Sequence, residues 1–145
     1  MLALAAKSLY TPLEKIDRPL VIIQDGSIVK VGPYAGTEVP PTCRVRDFAD
    51  CILAPGLVDI HTHGAAGYDV MQADAGGMER IENFLALHGV TSYFPTTVTA
   101  SMDNTLAALD RLANAIESTK QTDKPRAQPV GIHIEGPFLS HTRRG

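Results

Sequence analysis

The sequence predicts an α/β fold in two parts, an all-β segment over residues 1–53 and parallel strand–helix units over residues 54–145. Three observations carry this reading. Two apolar runs, residues 20–24 and 27–32, flank Asp25-Gly26, a pair suited to the positive φ angles of a two-residue hairpin turn. From Ile52 onward, short β-branched runs alternate with stretches of helical period. Metal-capable side chains stand at the C-terminal ends of the first and third of those runs, the face where a TIM-type barrel builds its site.

The elements follow in order. Residues 1–6 are apolar, but Lys7 ends the run before the ~7–15 residues of a secretory core. Gly32-Pro33 and Pro40-Pro41 punctuate the chain after the hairpin, and residues 45–48 add a short strand. Residues 52–63 read as the first barrel strand, interrupted at Pro55-Gly56. Met78, Ile81, Phe84, Leu85 and His88 recur at helical spacing, with Gly89 as the stop. Residues 90–99 read as the second strand. Ser101 caps a second helix whose apolar stripe is Leu106, Leu109, Leu112, Ala113 and Ile116. A polar connection over 119–128 leads to the third strand, 130–135. A doubly wound sheet shares this alternation, but no G-x-G-x-x-G run follows any strand to cradle a dinucleotide.

Bulk properties narrow the function classes. Apolar content of 44% and charged content of 20% describe a soluble globular chain. A net charge of −3 lacks the basic surface of a nucleic-acid binder, and no run nears the ~20 apolar residues of a membrane span. Cys43 and Cys51 form neither a zinc-type pair nor a disulfide framework, which suits a reducing cytoplasm. Cys51, in an apolar run, is expected to be buried.

Strand alternation puts Asp59, His61 and His63 on one face of the first run, and Gly131, His133 and Glu135 on one face of the third. Imidazole suits zinc, iron or nickel, and a carboxylate adds a hard anionic partner. Such a site with an open position activates water. Taken alone, His61 and His63 fit a solvated polar face equally well; Asp59, as an acceptor orienting an imidazole, favours the metal. Glu135 is the strongest candidate, because a carboxylate ending an apolar strand is costly to bury unless paired or metal-bound. Its alternative is a salt-bridged structural carboxylate. His133 reads equally as a core histidine or a ligand. His88 reads as a cap or surface residue. His141, Arg143 and Arg144 read as solvated, with a substrate or phosphate contact as their alternative. Thr96 and Thr97 read as structural residues at a face that also suits substrate.

Together these residues carry a resemblance. Ala54-Pro55-Gly56-Leu57-Val58-Asp59-Ile60-His61-Thr62-His63-Gly64, behind a β hairpin, resembles the entry to the amidohydrolase superfamily. Gly89-Val90-Thr91-Ser92-Tyr93-Phe94-Pro95-Thr96 and His133-Ile134-Glu135-Gly136-Pro137-Phe138-Leu139 narrow it to the N-acetylglucosamine-6-phosphate deacetylase family, over essentially the whole chain. The resemblance implies the first three βα units of a (β/α)8 barrel preceded by part of a small β-sandwich. It implies metal-dependent hydrolysis of N-acetylglucosamine 6-phosphate to glucosamine 6-phosphate and acetate. Glu135 is then a ligand of the main catalytic metal, and His61 and His63 match a pair that holds a second ion in some members, giving one or two divalent ions. The intact protein is implied to be a homodimer binding an amino-sugar phosphate. Further metal histidines and the general base are expected beyond Gly145, so no catalytic residue is assigned here and these residues alone are expected to be inactive. Two alternatives stay open: an amidohydrolase of the cyclic-amidase type, disfavoured because no lysine lies on the third strand, and a non-catalytic truncated or interaction fragment.

Overall fold

A computed structural model describes residues 1–119, 125–140 and 142. The chain divides into two compact units, Met1–Pro55 and Gly56–Gly145.

The first unit is a five-stranded sheet of β1 (Leu2–Tyr10), β2 (Lys15–Asp17), β3 (Pro19–Gln24), β4 (Ser27–Pro33) and β5 (Arg44–Leu53). One edge of β1 carries β3 and then β2, both antiparallel; its other edge carries β5, parallel. Cross-strand partners make the core. Ala3 faces Ile22 and Ala5 faces Leu20, and these four buried side chains form one cluster with Val39 and Cys43 packed against it. Asp25 and Gly26 take φ angles of 50° and 77°, closing the β3–β4 hairpin where the sequence put it. The opening apolar run is therefore the first half of a nine-residue strand.

Two expectations change here. Residues 45–48 and 52–53 are not separate strands: β5 runs unbroken through them because its pairing with β1 continues to Leu53. Cys51, on that strand, is exposed rather than buried.

In the second unit, β6 (Leu57–Thr62) is followed by a small hairpin of β7 (Gly64–Ala65) and β8 (Tyr68–Asp69), then α1 (Ala75–Leu87), β9 (Val90–Thr97), α2 (Met102–Thr119), β10 (Gln128–Pro129) and β11 (His133–Ile134). The central strand is β9. It pairs in parallel with β6 on one edge and with β10 and then β11 on the other. Three strand positions thus stand in chain order with a helix in each crossover, the arrangement of parallel βα units. The third position is broken rather than continuous: the chain leaves the ladder at Gly131, which lies against Phe94 so closely that a Cβ would stand 2.8 Å from Cε1 of the ring.

Helix ends follow local chemistry. Asp74 Oδ1 accepts from the Gly77 N–H at 2.8 Å, and Ser101 Oγ accepts from the Asn104 N–H at 3.3 Å. Gly89, at φ 82°, follows the His88 cap of α1. The core joins Val70, Met71, Ile81, Leu85, Tyr93, Ala108, Leu112 and Ala127. On α2 the buried line runs through Ala108 and Leu112 while Leu106 is exposed, so the helix is turned from the stripe its leucines suggest. Part of the expected connection, residues 120–124, lies outside the described residues. No helix among the described residues is long and apolar enough to cross a membrane.

Candidate metal centre

The C-terminal ends of β6, β9 and β11 meet in space. His61 is the penultimate residue of β6, His63 directly follows that strand, and Glu135 directly follows β11. Glu135 Oε2 stands 3.0 Å from His61 Nε2 and 3.2 Å from His63 Nε2, and the two Nε2 atoms are 3.2 Å apart. Their side chains are 42%, 40% and 32% exposed for His61, His63 and Glu135, so Glu135 is less buried than its strand context suggests.

The chemistry of the donor set fits a cation. His63 Nδ1 meets the Thr96 carbonyl oxygen at 3.1 Å. A carbonyl only accepts, which assigns the proton to Nδ1 and leaves Nε2 of the neutral ring with a lone pair. That lone pair faces a carboxylate oxygen, a repulsive arrangement unless a proton or a metal ion lies between them. Ligand atoms about 2.0–2.1 Å from one tetrahedral ion stand roughly 3.4 Å apart, close to the separations seen here.

Other candidates take structural parts. Asp59 does not orient an imidazole; its Oδ1 accepts the backbone N–H of His61 at 3.0 Å. His133 lies outside the trio, its Nδ1 donating to the Ile60 carbonyl at 2.9 Å. Thr96 and Thr97 are buried. Thr96 Oγ1 accepts from the Thr62 N–H and donates to the Phe94 carbonyl, and Thr97 Oγ1 accepts from the Glu135 N–H at 3.3 Å. His88 Nδ1 donates to the Phe84 carbonyl at 2.8 Å, closing the end of α1. His141, Arg143 and Arg144 lie outside the described residues. Sequence reasoning missed the Thr96 carbonyl as the group that orients His63, since a backbone oxygen leaves no mark in residue identity. A hollow of about 650 Å³ lined by Ala86, Leu87, Val90 and Thr91 lies at the opposite, N-terminal end of β9.

No protein-family model matches the chain. An N-acetylglucosamine-6-phosphate deacetylase of Bacillus subtilis is 34% identical over 138 residues, which are 95% of this chain and 34% of that protein. The chain is a homologue of the N-acetylglucosamine-6-phosphate deacetylases. An N-acetylgalactosamine-6-phosphate deacetylase of Escherichia coli O157:H7 is also 34% identical, over 98% of this chain and 35% of its own length. The N-acetyl-D-glucosamine-6-phosphate deacetylase of Mycobacterium smegmatis, solved as a variant in complex with N-acetyl-D-glucosamine-6-phosphate, matches 98% of this chain with a TM-score of 0.77 at 28% identity; the match covers 34% of that structure. These deacetylases are hydrolytic enzymes of the amidohydrolase type. This deacetylase homologue spans about a third of the length of the curated relatives it matches.

Proposed function

We propose that the chain forms the metal-holding part of a deacetylase that hydrolyses N-acetylglucosamine 6-phosphate to glucosamine 6-phosphate and acetate. The convergence of His61 Nε2, His63 Nε2 and Glu135 Oε2 carries the reading. On it, residues 54–145 are the first three βα units of a (β/α)8 barrel, and residues 1–53 contribute one layer of a β-sandwich. The intact enzyme is a cytoplasmic homodimer, with no nucleic-acid or membrane partner.

Glu135, His61 and His63 would hold one or two divalent ions of the zinc, iron or nickel type, Glu135 supplying the anionic ligand. When bound, such an ion supplies a Lewis acid for the amide carbonyl and lowers the pKa of water towards ~7. The chain's own part is orientation: Thr96 fixes the tautomer and tilt of His63, and Thr97 holds the backbone of Glu135. Among the described residues no further carboxylate joins the trio to move the proton from water to the leaving amine. On this reading the general base comes from outside these residues, and the 145-residue chain binds the ion without turnover. Equal identity to an N-acetylgalactosamine-6-phosphate deacetylase supports the C4 epimer as a second substrate reading.

The test is metal content and deacetylation of both hexosamine 6-phosphates on the purified chain and on Glu135→Gln. The expected result is a bound divalent ion in the wild type, clearly weaker affinity in the variant because its neutral amide replaces the anionic ligand, and turnover in neither. A wild-type chain that stays empty in excess zinc, iron and nickel would sink the metal reading. Turnover by the chain alone would sink the argument for an outside base.

A further inference from the structure

The β6–β9 ladder slips where the imidazoles leave it. Asp59 pairs with Tyr93 and Thr62 with Pro95, so Ile60 and His61 together stand opposite the single residue Phe94. Two residues against one is a β-bulge, a device that re-aims side chains beside functional sites. Polar backbone groups freed at such a bulge have to be satisfied elsewhere. Two side chains do so. His133 Nδ1 donates to the Ile60 carbonyl at 2.9 Å, and Asp59 Oδ1 accepts the His61 N–H at 3.0 Å. The His133 ring also stands 4.7 Å from the His61 ring, centroid to centroid, at 71°, walling the imidazole on one side.

We propose that Asp59 and His133 are positioning residues that hold this bulge in the one shape that aims His61 Nε2 at Glu135. The proposal rests on the metal reading of the trio. Its physical basis is register: a slip of one residue turns a side chain to the opposite face, and a bulge with unpinned backbone groups is free to migrate by that step. Asp59 acts through an oxygen lone pair and not through its charge. Asp59→Asn keeps that acceptor, while Asp59→Ala removes it. His133 acts through the N–H at Nδ1. The amide nitrogen of His133→Asn replaces it, and His133→Leu removes it.

The test is a titration of the 145-residue chain with cobalt(II), following the visible d–d bands, with far-UV circular dichroism on each variant. Asp59→Ala and His133→Leu are expected to weaken cobalt affinity about 10–100-fold and to alter the d–d bands, with both Asn variants close to wild type. The double Ala/Leu variant is expected to lose less than the sum of the single losses, since both release one bulge. Unchanged affinity in the Ala and Leu variants overturns the proposal and leaves the metal reading standing. Loss in Asp59→Asn equal to that in Asp59→Ala also overturns it, because charge would then be what matters. Where the Ala or Leu variant loses its dichroism, the Asn variants decide: affinity retained in both upholds the clamp, and affinity lost in either overturns it. No cobalt uptake by the wild type overturns both the metal reading and the clamp.

Discussion

The Tyr93 hydroxyl donates to Glu82 Oε1 across 3.4 Å, joining the central strand to α1 inside the core. Burial above all, and then the neighbouring carboxylate, push the Tyr93 phenol far above its ordinary value of 10.0. The folded chain therefore holds the phenolic proton more tightly than the unfolded chain does. That contribution to stability is whole below about pH 10 and is lost as pH rises from there towards the folded value. Urea unfolding should show stability falling above about pH 10, with a shallower fall in Tyr93→Phe. Parallel alkaline slopes in the two proteins would refute the assignment.

Arg126 Nε stands 3.0 Å from Glu82 Oε2, and the glutamate is 1% exposed. Removing one partner of a buried pair leaves the other charge poorly compensated. Arg126→Leu is expected to cost about 3–5 kcal/mol in urea unfolding, and adding Glu82→Gln should recover part of the loss. A cost below about 1 kcal/mol would rank the pair with solvent-screened surface bridges.

Gly64 and Gly26 both have positive φ, 143° and 77°, but differ in surroundings. A Cβ on Gly64 would lie 2.0 Å from the Tyr68 carbonyl oxygen, whereas one on Gly26 meets nothing within 4 Å. Gly26→Ala should cost about 1 kcal/mol from backbone strain alone. Gly64→Ala should cost clearly more and, on the proposed metal reading, should also weaken metal binding at the adjacent His63. Equal melting temperatures for the two variants would show that the β7–β8 hairpin yields without penalty.

Ile81 is fully buried in the core of the second unit, and Leu87, nearly two turns further along α1, is 84% exposed. Ile81→Ala is expected to cost about 2–5 kcal/mol. Leu87→Ala should stay within about 0.5 kcal/mol of wild type. Denaturant midpoints at one pH check the contrast.

The features legible in the sequence are those with local chemical punctuation. Asp25-Gly26 states its turn through backbone preference, Ser101 caps α2, and Gly89 ends α1, each a matter of a few neighbouring atoms. Alternation puts His61 and His63 on one face of their strand, but it equally pairs Glu135 with His133, and only the parallel packing of both strands against β9 brings Glu135 to the two imidazoles. The long β5 is not legible as one strand, because what sustains it is pairing with β1, far away along the chain. The break between β10 and β11 depends on the Phe94 ring against Gly131, again a distant contact. Alternation puts Asp59 on the right strand but gives it the wrong partner. The pattern that points it at the imidazoles fails at the bulge, and its carboxylate turns to the backbone instead.

The ladder between β6 and β9 slips twice, in opposite senses. Leu57 pairs with Val90 but Val58 with Ser92, leaving Thr91 as an extra residue of β9; the second slip, past Asp59, gives β6 its own extra residue. The offset at Thr62 thus returns to its value at Leu57, as two phase errors cancel. The Thr91 side chain fills the space where a Cβ on Gly56 would lie, 2.1 Å from its Oγ1. Between the slips the two strands run out of phase, and the imidazoles emerge as phase is restored. The segment is accordingly strictest about length. A single-residue deletion between Gly56 and His63 would leave one phase error uncorrected and turn the metal-capable face away, however conservative the remaining sequence.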